Sequence, residues 1–213
     1  MASMMRALSR RGLLKLFLAL PFVKVLESFL ASLLRPAGAG EAPLKVAKVS
    51  ELGQPWSSVG FTYRIKVKTR DVYKRDVVTE ESVPGLVIRL PDELAQKMGG
   101  GAKTKFYVVD LHCTHERCVA AYIADRSEMR AVANVDAKNP MVYCPCHRSV
   151  FDVAQEGKAV KGPAKQPLWK FNFDVKGDDI IVTGLDPKAS VWEAGRPGGL
   201  TVEYPVRPGE PGL

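Results

Sequence analysis

Cys113-Thr114-His115-Glu116-Arg117-Cys118 and Cys144-Pro145-Cys146-His147-Arg148-Ser149-Val150-Phe151-Asp152 carry the decisive chemistry of this 213-residue chain. All four cysteines and all three histidines fall between His112 and His147. Thiols and imidazoles gathered in this way can hold zinc, hold an iron–sulfur cluster, or form disulfides. Zinc sites usually use paired cysteine knuckles, and a Cys-x-His pair with a Cys-x-x-His pair fits that pattern poorly.

Short β-prone runs separated by turn residues flank the motifs, at 44–49, 61–69, 86–90, 106–111, 168–175 and 180–183. Residues 61–67 alternate with the period of two of a half-buried strand. Lys176-Gly177-Asp178-Asp179 reads as a hairpin turn joining the last two strands. A short helix is expected at 91–98, with Asp92-Glu93 as its N-terminal charge pair and Gly99-Gly100-Gly101 as its stop. Trp56, Trp169 and Trp192 read as core or lid residues, and His112 as a loop residue. No internal repeat is visible. The expected architecture is all-β. An insertion, 111–167, is too irregular to join the sheet, and a proline- and glycine-rich tail, 186–213, extends over the body.

The charge divides unevenly along the chain. Lysine and arginine number 31 against 23 acidic residues, a net +8, but residues 1–40 hold six basic residues and one acidic. The remainder, 25 basic and 22 acidic, offers no electrostatic footprint for nucleic acid. A hydrophobic content of 46% and a mean hydropathy of −0.07 exclude a polytopic membrane protein and a disordered chain.

Ser9-Arg10-Arg11-Gly12-Leu13-Leu14-Lys15 resembles a twin-arginine export signal. The apolar stretch that follows, 13–34, would be about 33 Å long as a helix, enough to span a bilayer. Lys24, Glu27, Ser28, Ala31, Ser32 and Arg35 share one face of that helix. Residues 1–35 read as an uncleaved signal and membrane anchor, with Ala37-Gly38-Ala39 the rival cleavage site, and 36–43 as a linker or hinge. Basic residues before the span place the body, 44–185, on the extracytoplasmic side of the cytoplasmic membrane. A disulfide is expected there.

The two cysteine–histidine motifs resemble those of the Rieske iron–sulfur proteins, in particular the high-potential branch of cytochrome bc-type complexes. The resemblance implies an antiparallel β-sandwich with a small cluster-binding subdomain at 111–167. It implies one [2Fe–2S] cluster, with Cys113 and Cys144 on one iron and His115 and His147 on the other, and a Cys118–Cys146 disulfide tying the two loops. It also places the Ser149 hydroxyl on a cluster sulfide, and Gly162-Pro163-Ala164 in a loop covering the cluster. Phe151 stands where the family often has Tyr, which implies a lower potential than in otherwise similar sites. Arg117 and Arg148 stand where glycine is usual. Glycine there permits positive φ, which arginine adopts at a cost of roughly 1–2 kcal/mol. Two guanidinium groups beside the histidines would favour the reduced cluster. The 25 residues from Val119 to Tyr143 suggest no function.

The implied activity is that of a membrane-anchored electron-transfer subunit, a redox carrier within a complex rather than a catalyst alone. It would take electrons from quinol at a cytochrome b-like partner and pass them to a cytochrome c or copper protein. The rival readings are the small Rieske subunit of an arsenite-oxidase-like molybdenum enzyme, and a zinc-stabilised binding module.

Overall fold

The computed structural model describes residues 43–70, 73, 75–186 and 201–205. The expected anchor, almost all of the linker, Trp192 and most of the C-terminal tail lie outside the described residues. Among the described residues no helix is long and apolar enough to cross a membrane.

The described residues are mostly β-strand, as expected of the body. Its strands are β1 (Leu44–Lys48), β2 (Ser58–Arg70), β3 (Asp76–Arg89), β4 (Phe106–Asp110), β5 (Ala121–Ile123), β6 (Met141–Tyr143), β7 (Val150–Asp152), β8 (Lys158–Lys161), β9 (Phe171–Lys176), β10 (Asp179–Leu185) and β11 (Thr201–Pro205). Two helices are described, α1 (Asp92–Lys97) after β3 and α2 (Arg126–Ala133) after β5. One sheet has the order β1-β10-β9, a second β11-β2-β3-β4, and a third β5-β6-β7-β8. All pairings are antiparallel.

The first two sheets enclose a common core. Val46 of β1, Phe61, Tyr63 and Ile65 of β2, Val83 and Val87 of β3, and Phe171, Ile180 and Val182 of β9 and β10 are buried there together. Phe61 lies opposite Gly85, where a Cβ would come within 2.2 Å of the ring. The ring is free to sit flat across the neighbouring strand and meet Phe171 edge-on at 5.0 Å.

β4 and the second half of β3 are buried on both faces, and this positions the rest of the molecule. Val83, Val87, Phe106 and Val108 face the sandwich, while Leu86, Ile88, Tyr107 and Val109 face a second core. Side chains alternate along a strand, so a nearly unbroken apolar run fills two cores at once. The second core also contains Val142, Phe151, Leu168, Cys113 and Cys144. The chemistry is thus mounted on the back of the sandwich.

The insertion is more regular than its sequence suggests. It supplies all four strands of the third sheet, together with α2. Three of those strands have only three residues, too few to show a period. Met129 and Ala133, four apart on α2, join Ile123, Met141 and Val150 in a third core. Asp125 caps the helix by accepting from the Glu128 N–H (2.8 Å), and Asn134 ends it in a left-handed conformation. The expected hairpin is present, Lys176 pairing with Asp179 across Gly177 and Asp178, but it joins β9 and β10, and β11 follows them in the chain. Trp56 packs against the second core and Trp169 against the first. In the tail, β11 pairs with β2.

Asp178 also ties that hairpin to the turn after β1. It accepts from the Ser50 hydroxyl and the Ser50 N–H, each at 2.8 Å. These bonds hold its carboxyl below the usual range, the hydroxyl contributing most. The Arg89 guanidinium, bonded at 2.6 Å, does the same for Asp92. A depressed folded-state pKa gives stability that is present above the ordinary carboxylate value of about 4 and lost as pH falls through the lowered one. The melting midpoint should therefore drop on acidification below about pH 4, and drop less in Asp178→Asn. Melts followed by far-UV circular dichroism across that range check this, and equal slopes for both proteins would refute it.

Candidate metal centre

The two motifs form two turns of the same construction. In the first, Ala120 N–H donates to Leu111 O (2.8 Å), His112 bridges to Val119, and Cys113 N–H donates to Cys118 O (2.9 Å). In the second, Cys144 N–H donates to Ser149 O (2.9 Å) between β6 and β7. Each six-residue turn begins with a buried cysteine and has an arginine at its fifth position. Both arginines take positive φ, Arg117 at 60° and Arg148 at 61°. The conformation expected of glycine at these positions is kept, and arginine bears the strain.

Cys113 and Cys144 are free, and each is 1% exposed in the second core. Burial pushes the Cys113 thiol up, while the His115 N–H and the Ser149 hydroxyl, both donating to it, pull it down. Cys118 and Cys146 form a disulfide across the two turns, and both its sulfurs lie within 4.8 Å of the Cys144 sulfur.

His115 and His147 meet edge to face above the thiols' loops, with ring centroids 4.8 Å apart and ring planes at 84°. Nδ1 of His115 is buried and has no hydrogen-bond partner among the described residues. Two free buried sulfurs and an inward imidazole nitrogen without a partner are the donor set of a thiophilic metal group. The residues present fit an iron–sulfur cluster.

A covering segment closes over both turns. Gly162 has φ +89°, and a Cβ there would lie 2.5 Å from the Ser149 Cα and 2.8 Å from the Arg148 carbonyl oxygen. Beyond Pro163, the Ala164 N–H donates to the Ser149 hydroxyl oxygen (3.2 Å), and the Thr114 hydroxyl donates to Gln166 O (2.7 Å). Ser149 and Phe151 are fully buried. The serine hydroxyl faces the Cys113 sulfur, and the ring is part of the same core.

Sequence reasoning missed three features. Thr114 anchors the covering segment. Glu116 lies between the imidazoles, with Oε1 3.8 Å from His115 Nε2 and Oε2 3.6 Å from His147 Nδ1. The insertion also has a local role, because Arg148 donates to Val132 O (3.2 Å) and Lys161 to Ala133 O (2.7 Å) at the C-terminus of α2. Cations are favoured at that end of a helix. The Arg148 guanidinium is therefore engaged by the helix. His112 is not brought to the pair; its N–H donates to the buried carboxylate of Asp110 (2.8 Å).

An all-β body bearing two cysteine–histidine turns, a cross-turn disulfide and a covering segment is the plan of one family. A family model for the Rieske [2Fe-2S] domain matches residues 64–174, and the chain belongs to that family, whose cofactor is one [2Fe–2S] cluster. Among named relatives, it is 30% identical over 91 residues to the chloroplastic cytochrome b6-f complex iron-sulfur subunit of Volvox carteri, covering 38% of this chain and 37% of that one. It is 31% identical over 84 residues to the cytochrome b6-f complex iron-sulfur subunit of Chlorobaculum thiosulfatiphilum, covering 39% and 36%. The chain thus spans just over a third of the length of these curated relatives. Similar solved structures include the plasma membrane Rieske protein PetC3 of Synechocystis PCC 6803 (19% identity, 66% of this chain and 99% of that one, TM-score 0.36). Another is the soluble domain of Rieske protein II (soxF) of Sulfolobus acidocaldarius (18% identity, 70% and 81%, TM-score 0.40).

Proposed function

We propose that this Rieske protein is the membrane-anchored iron–sulfur subunit of a quinol-oxidising cytochrome bc-type complex. In this reading Cys113 and Cys144 hold one iron and His115 and His147 the other, and the domain lies outside the cytoplasmic membrane. The observation that carries it is the pairing of two buried free thiols with two surface imidazoles whose side chains are 28% and 48% exposed. The relatives' names, the apolar segment 13–34 and a disulfide suited to an oxidising compartment support it.

When bound, the cluster supplies a one-electron acceptor whose potential is raised because two neutral imidazoles replace two thiolates. The chain's own residues do the rest. Buried Cys113 and Cys144 keep the sulfur side away from water. His115 presents Nε2 at the surface, where it can accept a hydrogen bond from a quinol hydroxyl and take up its proton. The Ser149 hydroxyl, aimed at the Cys113 sulfur, withdraws charge from it and eases reduction. The second quinol electron goes to the cytochrome b-like partner, and a cytochrome c or copper protein reoxidises the domain.

An EPR-monitored redox titration of the full chain across pH tests this. A positive potential that falls with rising pH, by about 59 mV per pH unit for each coupled proton, is expected. A strongly negative potential independent of pH would overturn the ligand assignment.

A further inference from the structure

The two imidazoles share a third neighbour. Glu116 extends a 57% exposed carboxylate to both, one oxygen 3.8 Å from His115 Nε2 and the other 3.6 Å from His147 Nδ1. The disulfide brings this about. It joins the sixth position of the first turn to the third position of the second, so the residue after His115 lies against the residue after Cys146. Of the two arginines in the turns, Arg148 is drawn to the carbonyl end of α2, while Arg117 follows Glu116 in the left-handed position.

We propose that Glu116 is a potential-setting residue, whose carboxylate, shared between the His115 and His147 rings, holds the midpoint potential of the centre down. The inference rests on the ligand assignment above. An electron entering the site adds negative charge, and a fixed anion within ion-pair range of both imidazoles opposes that addition. The carboxylate acts through the rings rather than by touching the metal group, so its role is one of positioned charge. Its effect is opposite in sign to that of the Ser149 hydroxyl, and the two act at different side chains, one at the imidazoles and the other at a buried sulfur.

The experiment is an EPR-monitored redox titration, at one neutral pH and fixed salt, of the cluster-loaded full chain and of its Glu116→Gln, Glu116→Lys and Glu93→Gln variants. Glu93 is an exposed carboxylate on α1 and controls for net charge. The potential should rise in Glu116→Gln and rise further in Glu116→Lys, while Glu93→Gln stays at the wild-type value. A Glu116→Gln potential equal to or below wild type overturns the proposal and leaves the ligand assignment standing. Loss of the cluster from Glu116→Gln alone would make the residue a folding element of the turn, and overturns it as well. A wild-type chain without the spectrum of a two-histidine cluster fails the ligand assignment, and this inference with it.

Discussion

Gly162→Ala is expected to cost roughly 2–6 kcal/mol of stability and to strip the site of its cover. Two effects add at this position. The backbone has φ +89°, where any side chain is strained. A Cβ would also lie 2.5 Å from the Ser149 Cα and 2.8 Å from both the Ser149 N and the Arg148 O. All three atoms are backbone and belong to the second turn, so no side-chain rotation relieves the contact. Either the covering segment lifts, breaking the bonds from Ala164 to Ser149 and from Thr114 to Gln166, or the turn carrying Cys144 and His147 shifts. Gly177→Ala provides the comparison. That glycine has φ +61° with nothing within 4 Å, so it keeps only the conformational penalty, roughly 1 kcal/mol. A domain of this size loses about 2–4 °C per kcal/mol, so Gly162→Ala should melt several degrees below Gly177→Ala and release its cluster faster at a given temperature. Equal melting points for the two variants would show that the covering segment is not clamped to the turn.

Removing the Cys118–Cys146 bridge, by Cys118→Ser with Cys146→Ser or by a reductant, is the second large expected effect. The bridge closes a loop between residues 28 apart, and in the chain-entropy account such a loop is worth about 3–4 kcal/mol. Each turn keeps its own closing bond, Cys113 to Cys118 or Cys144 to Ser149, so neither unravels alone. Their mutual placement is what is lost, and with it the approach of His115 to His147. The double variant should fold with a lowered melting point and lose its cluster readily, and the wild type under reductant should follow it, because Cys146 is exposed. A stability loss below about 1 kcal/mol would mean that the Thr114–Gln166 and Ala164–Ser149 bonds already hold the turns together.

Both predictions concern long-range placement, and there the sequence was least informative. Runs of ordinary strand length were legible because alternation along a strand leaves a period: Phe61, Tyr63 and Ile65 are buried on one face of β2 as that period requires. The expected strand at 168–175 instead begins at Phe171, since Leu168 N–H is committed to Gly157 O and Trp169 O to Asp110 N–H while the chain crosses between cores. Strand β3 was read only in part. Its first half is exposed and charged, and it is held straight by pairing with β2 rather than by its own apolar content.

The sequence alone determined which residue types could bind metal, how many thiols were available, and hence the family. Those are matters of composition and short spacing, which survive without coordinates. The tertiary structure alone decided that β3 and β4 serve two cores and that the 119–143 segment builds a helix whose C-terminal carbonyls take up Arg148. It also decided that Glu116 lies against both imidazoles. Each depends on chain segments remote in sequence meeting across a sheet or a disulfide, and no local period or spacing encodes such a meeting.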